Sequence, residues 1–218
     1  GRAPENRILS HDLFEGLHGR VALTTDIVVY EGFPASWPEL AARQHRWIRG
    51  DWQLLPWLGR RVPAADGGSV PTRFSTLDRW KLLDNLRRSL SPPALVALAL
   101  AGWLVLPGAP WVWTLVAVLT PGAHIFTDLV TGLAQGRRRG AMRGLAMRLR
   151  EQAGRWALGV VFLPAEAAIS VDAILRTLRR LAARRRLLEW TPAALIASRL
   201  AGRSPRGAAW RAMWSAPA

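Results

Sequence analysis

Apolar and polar positions change rhythm several times along the chain. Val21–Tyr30 is rich in β-branched residues, and Thr24–Tyr30 predicts a strand. Glu39–Leu55 predicts a helix in which Leu40, Trp47 and Leu54 recur every seven residues. Residues 59–72 hold Pro63, Asp66-Gly67-Gly68 and Pro71, which predict a loop. Ser75-x-x-Asp78 is a capping-box pattern, and Leu77, Trp80, Leu83 and Leu86 follow it at helical spacing. That helix is expected to lie along a membrane interface, because of what comes next. From Ser89 to Thr127 there is no Asp, Glu, Lys or Arg, a run of 39 residues.

Such a run is too long for one ordinary spanning helix, which takes roughly 20 residues. Pro107-Gly108-Ala109-Pro110 divides it with a strong turn signal. The halves, 89–106 and 111–127, predict a transmembrane hairpin. Trp103, Trp111 and Trp113 flank the turn, as indoles do at a membrane–water boundary. Two buried helices of a soluble domain are the other reading, but soluble helices of this length normally keep a polar face. Arg87-Arg88 and Arg137–Arg139 bracket the hairpin, so the positive-inside rule puts both ends in the cytoplasm.

Charge sharpens this picture. The 218 residues carry 30 Lys+Arg against 15 Asp+Glu, a net +15. Residues 1–60 are balanced, with 7 Arg and 7 acids, whereas residues 137–218 carry 17 Arg against 4 acids. Val171, Ile174, Leu175, Leu178, Leu181 and Ala182 form an apolar stripe, with Arg176, Arg179, Arg180 and Arg184 largely off it. A basic amphipathic helix of this kind suits an anionic leaflet, and residues 156–175 add a possible third span. A nucleic-acid-binding helix is the alternative for the same charges. The balanced front and the uncharged run argue against it, so nucleic acid is not expected as a partner. With 50% hydrophobic residues the chain is no disordered tail. The absence of cysteine excludes a disulfide scaffold, a zinc knuckle and a thiol nucleophile.

Two clusters could carry chemistry. His11-Asp12-x-x-Glu15 would put His11 and Glu15 on one helix face with Asp12 adjacent, fit to bind a divalent metal or to act as a base. Helix-terminal charges or surface salt bridges account for the same pattern. Arg43-Gln44-His45-Arg46-Trp47-Ile48-Arg49 places three Arg at spacing three, a face able to clamp a pyrophosphate. Trp47 and Trp52 could stack on sugar rings, and a solvated basic face is the plainer alternative.

Taken in order, these features resemble the membrane-bound, inverting glycosyltransferases of the cellulose synthase and hyaluronan synthase kind. The resemblance is closer to the transferase part of cyclic β-1,2-glucan synthases. It rests on LSHDLFEG at Leu9–Gly16, RQHRWIRGDWQLLPWL at Arg43–Leu58 and RWKLLDNLRRSL at Arg79–Leu90. LPAEAAISVDAILRTLRRL at Leu163–Leu181 and RRLLEW at Arg185–Trp190 extend it. The resemblance implies glucosyl transfer from UDP-glucose to a growing glucan at a bacterial inner membrane, in a multi-pass protein whose catalytic part is cytoplasmic.

Asp12 then corresponds to the general base, with His11 and Glu15 shaping the acceptor site. Arg46 and Trp47 match the RW of the family's QxxRW motif, and Arg43 stands where that motif has Gln. A divalent cation, Mg or Mn, is expected for the full-length enzyme, but the DxD-type motif that holds it is absent from residues 1–218. The implied fold is a mainly α membrane-protein fragment. Residues 1–60 would form the C-terminal part of a GT-A-like α/β domain, 61–88 a loop and interfacial amphipathic helix, and 89–127 the hairpin. Residues 128–190 would form basic cytoplasmic or interfacial helices and 191–218 a truncated basic tail. The chain is accordingly expected to be an internal piece of a larger synthase, inactive alone. A non-catalytic membrane scaffold keeping a transferase remnant is the second reading.

Overall fold

The computed structural model describes residues 8–9, 12–19, 24–30, 32–34, 36–65, 67–135, 139–189 and 195. His11, the Arg137-Arg138 pair and the expected basic tail, Leu195 apart, lie outside these residues. The described elements are mainly helical: α1 (Asp12–His18), α2 (Trp37–Gln53), β1 (Arg61–Pro63), β2 (Ser69–Pro71), α3 (Thr76–Leu104), α4 (Pro110–Leu119), α5 (Ala123–Gln135) and α6 (Arg139–Ala183). Two compact units emerge: Gly1–Leu90 with Ala168–Ala218, and Ser91–Ala167.

In the first unit, Ile8, Phe14, Leu54, Trp57, Val62 and Leu82 make the core. Phe14 meets Trp57 edge-on at 5.3 Å between centroids, a geometry that aligns a positive ring edge with a negative face. Pro38 in the first turn of α2 starts the helix two residues earlier than predicted, since a missing N–H is no loss there. Ser75 and Asp78 cap α3 as the sequence predicts. The Ser75 amide and hydroxyl donate to Asp78 Oδ2 at 2.9 and 2.8 Å, and the Asp78 amide donates to Ser75 Oγ at 3.2 Å.

Two expectations fail here. The predicted loop at 59–72 contains an antiparallel hairpin, with Val62 opposite Val70 and Gly67 turning at φ 82°. Its prolines sit at strand ends of a two-stranded ribbon, where a missing ladder donor is tolerated. The predicted strand at Thr24–Tyr30 is instead irregular, and Val28, Val29 and Tyr30 are 72, 83 and 94% exposed. A β-branched run becomes a strand only when a neighbouring edge takes its hydrogen bonds, and none among the described residues does.

The second unit is built around the expected turn. The chain reverses between α3 and α4 with Gly108 at φ 91°, a left-handed conformation that glycine adopts without strain. Indoles fasten the reversal: Trp113 Nε1 donates to the Pro107 carbonyl at 3.0 Å, and Trp103 Nε1 to Thr114 Oγ1 at 2.9 Å. Farther along, Trp156 Nε1 donates to the Val118 carbonyl at 2.9 Å, tying α6 to α4. Gly102 admits the Trp113 side chain so closely that a Cβ there would lie 2.3 Å from Trp113 Cβ.

Two stretches are long and apolar enough to cross a membrane, Pro110–Gly132 with 23 residues and Gly144–Ala183 with 40. Only 6% of the apolar window of the first is buried within the protein, unlike a soluble core helix. These features mark a membrane-associated protein. The first stretch runs past Thr127 and takes in Asp128, whose carboxylate is hydrogen-bonded by Gln152 Nε2 of α6. The uncharged part of α3, from Ser89 to Leu104, is the continuation of the capped helix and does not meet the same length and hydropathy. Residues 156–175 fall within the single helix α6.

The expressed chain should resist alkaline extraction from membranes, and recovery as a detergent-free soluble monomer would exclude membrane association. Gly102→Ala should force α3 and α4 apart at the turn, lowering the melting temperature in detergent. An unchanged melt would show that the Trp113 contact yields without penalty.

Candidate functional site

The site elements converge on α2, whose buried face is polar. Ala41, His45, Arg49 and Gln53 are buried at spacing four, with Arg49 and Gln53 at 3 and 1% exposure. Spacing by four keeps side chains on one helix face. The expected seam of Leu40, Trp47 and Leu54 does not form, since Trp47 is 38% exposed. The interior contacts of α2 come instead from the C-terminal end of α6 and the segment after it. His45 Nε2 lies 2.8 Å from Asp172 Oδ2, and Arg176 bonds the same carboxylate at 3.1 and 3.2 Å. Arg49 donates to the carbonyls of Glu189 and Leu187 at 2.7 and 3.2 Å. Gln53 Nε2 donates to the Leu187 carbonyl at 2.7 Å, while its Oε1 accepts the Leu9 amide at 2.7 Å.

These contacts revise two expectations. Arg49, with Arg43 and Arg46, was to form a pyrophosphate clamp. Burial and, after it, the charges of Arg180 and Arg176 pull its pKa down to about 10, which leaves it protonated at neutral pH but committed to backbone carbonyls. The basic face of α6 is likewise partly engaged within the protein. Arg176 pairs with Asp172, and Arg180 pairs with Glu189 at 3.0 Å and donates to the Arg186 carbonyl at 2.8 Å. Val171, Leu175 and Leu178 of the predicted stripe are exposed, while Ser170, Ala173, Ile174 and Thr177 pack inward.

Asp12 opens α1, and both it and Glu15 are exposed. Phe14 pins the helix to Trp57 from below, so the carboxylates stay on the open side. Arg43 and Trp47 come together on α2, the guanidinium 4.5 Å from the ring centroid, a cation–π contact that holds the indole in a defined pose. Arg46 is half-buried on the same helix. Asp12 and the Arg43–Trp47 group therefore occupy separate helices that share one anchor, the C-terminal end of α2. His11 lies outside the described residues.

Among the described residues, no three His, Asp or Glu side chains gather as a metal-holding group. The ligand set of a divalent cation is thus not supplied by these residues, and no chemical step is derived through one. A cavity of about 20 Å³ between His18, Trp57, Val62 and Phe74 has room for about one water. It holds none of the predicted site residues.

The residues that sequence reading passed over are His45 and Gln53, with Arg49 given a different role. Their signal was the four-residue spacing of 41, 45, 49 and 53, hidden because polar residues do not count toward an apolar period. Asp51, also on α2, is pushed up in pKa by burial while Asn85 Nδ2 bonds it at 3.0 Å.

Burial is the main cause that holds His45 below its usual pKa, against the opposing pull of Asp172. The unfolded chain then binds more protons than the folded one near and below the ordinary histidine pKa of about 6.5. The stability His45 contributes should be present at neutral pH and fall as pH drops from about 6.5 through the folded value. His45→Gln should flatten that part of a pH–melting profile, and an unchanged slope would contradict the assignment.

No protein-family model and no solved structure matches the chain. A curated protein does: the cyclic β-(1,2)-glucan synthase NdvB of Rhizobium meliloti (strain 1021) is 39% identical over 223 aligned residues. The alignment takes in 100% of this chain and only 8% of that protein. From the Asp12 helix to the Arg-rich end, the chain is thus similar to a segment of a cyclic β-(1,2)-glucan synthase, the family its motifs resemble.

Proposed function

We propose that this chain is the acceptor-side and membrane-anchoring segment of an inverting glucosyltransferase that builds a cyclic β-1,2-glucan from UDP-glucose. The observation that carries the reading is the similarity of the chain to a segment of a glucan synthase, with Asp12 exposed on a helix docked to the end of α2. A GT-A-like nucleotide-binding half and a divalent cation with its DxD ligands belong to the rest of such an enzyme. The segment's own residues supply three things: a base, a cationic and aromatic surface, and attachment to the inner membrane with the catalytic part in the cytoplasm.

In this reading the acceptor hydroxyl attacks the anomeric carbon in line, forming the glycosidic C–O bond as the bond to the diphosphate breaks. Its proton passes to the Asp12 carboxylate, and UDP leaves with the electron pair. A single displacement inverts the anomeric centre, so an α-linked donor gives a β-linkage. Arg46 offers positive charge where negative charge grows on the leaving diphosphate. Trp47, held by Arg43, offers an apolar face to a sugar ring.

The test uses the full-length synthase. Asp12→Asn should lower turnover about 10²–10⁴-fold, the usual loss of a positioned base, while UDP-glucose binding stays near normal. Arg46→Ala should weaken both donor affinity and turnover. Glu15→Gln is the control. Matched mild losses at Asp12 and Glu15, with small melting shifts of the size that helix-terminal charges give, would reject the catalytic reading in favour of the scaffold.

A further inference from the structure

Gln53 has the least exposed polar side chain on α2, and both ends of its amide are used by chain segments remote in sequence. On one side Oε1 accepts the amide of Leu9, three residues before Asp12, at 2.7 Å. On the other, Nε2 donates to the carbonyl of Leu187, also at 2.7 Å. Leu187 belongs to the turn after α6, where Arg184 and Arg186 adopt left-handed φ angles of 52 and 54° that side-chain-bearing residues avoid. That turn keeps its shape because Arg49, Gln53 and Arg180 capture the carbonyls of Arg186, Leu187 and Glu189.

From this geometry we infer that Gln53 is a positioning residue for Asp12, and that the Arg186–Glu189 turn is part of the same site. The inference rests on the reading of Asp12 as the base and deepens it. A hydrogen bond three residues from a catalytic carboxylate sets where its helix begins. Phe14 restrains the helix from beneath through Trp57 and Phe74. The Leu9–Gln53 bond adds a restraint on the chain entering that helix, and the Leu187 bond holds the Gln53 amide in place. Arg49 lies one helical turn earlier on the same face and holds the same turn, so the amide of Gln53 has a single orientation with both bonds made. Segments from the beginning and end of the chain are thereby tied to one side chain.

The experiment compares Gln53→Met and Gln53→Glu with Asp12→Asn in the full-length synthase in its membranes. Methionine keeps the volume and removes both bonds. Glutamate keeps an oxygen able to accept the Leu9 amide. Gln53→Met should lower turnover at saturating donor about 10–100-fold, as small misplacements of a reacting group do, with KM for UDP-glucose within about twofold of wild type. Gln53→Glu keeps the Leu9 bond but turns an oxygen to the Leu187 carbonyl, so it should lose less turnover than Gln53→Met without matching wild type. Amide exchange in peptides spanning residues 8–14 should be slow in wild type and in Gln53→Glu and faster in Gln53→Met.

Turnover near wild type in Gln53→Met, with Asp12→Asn inactive, overturns this inference and leaves the catalytic reading standing. Losses in Gln53→Met with amide exchange at residues 8–14 as slow as in wild type overturn it as well, because the Leu9 bond is then not what restrains the helix. Activity near wild type in Asp12→Asn overturns the catalytic reading and this inference with it. Should Gln53→Met not accumulate, fast exchange at residues 8–14 in wild type still overturns it.

Discussion

A buried polar face of α2, with Arg49 and Gln53 donating to backbone carbonyls, ties distant segments of the first unit together. Arg49 and Gln53 sit at 3 and 1% exposure, away from water, and their N–H groups must find acceptors. The carbonyls of Leu187 and Glu189 supply them. Removing the donors would leave partly buried carbonyls unmatched, at a cost of up to about 1–3 kcal/mol each. That is enough to maintain the left-handed residues Arg184 and Arg186, which cost about 1–2 kcal/mol apiece. The turn after α6 is therefore shaped by α2 together with Arg180 of α6.

The same face explains the arrangement of the candidate site. α1 is a seven-residue helix, too short to be stable alone. It exists because Phe14 enters the aromatic core beside Trp57 and because Gln53 anchors Leu9. Arg43 and Trp47 project from the less buried side of α2, where they are able to meet a ligand. One helix thus uses its inner face for assembly and leaves its outer face for the role proposed for Arg46 and Trp47. Trp52 extends the assembly to α3, donating to Ser89 Oγ at 2.9 Å, beside the Asn85–Asp51 bond.

The second unit follows different physics. Its helices expose Leu115, Leu119, Phe126, Leu158 and Val161, and their mutual contacts are indole hydrogen bonds and glycine notches rather than a large apolar interior. Where the surroundings are themselves apolar, burying more leucine brings no advantage, and close backbone approach with satisfied polar groups does the packing. Asp128 fits this logic because Gln152 meets its carboxylate.

The sequence by itself determined the features that depend on local chemistry or on long apolar runs. The Ser75–Asp78 cap, the Pro107–Pro110 reversal and the membrane character all follow from residues within a few positions of one another. The motifs at Leu9–Gly16 and Arg43–Leu58 likewise sufficed to indicate the family that the glucan synthase alignment supports. Tertiary structure alone decided which arginine is committed to backbone carbonyls, whether Thr24–Tyr30 forms a strand, and how α2 is oriented. Arg49 reads as one of three equivalent cations until its acceptors appear, and they lie 138 and 140 residues away. Apolar periodicity reports burial driven by water. The inward face of α2 is instead set by hydrogen-bond partners distant in sequence, and no local pattern records them.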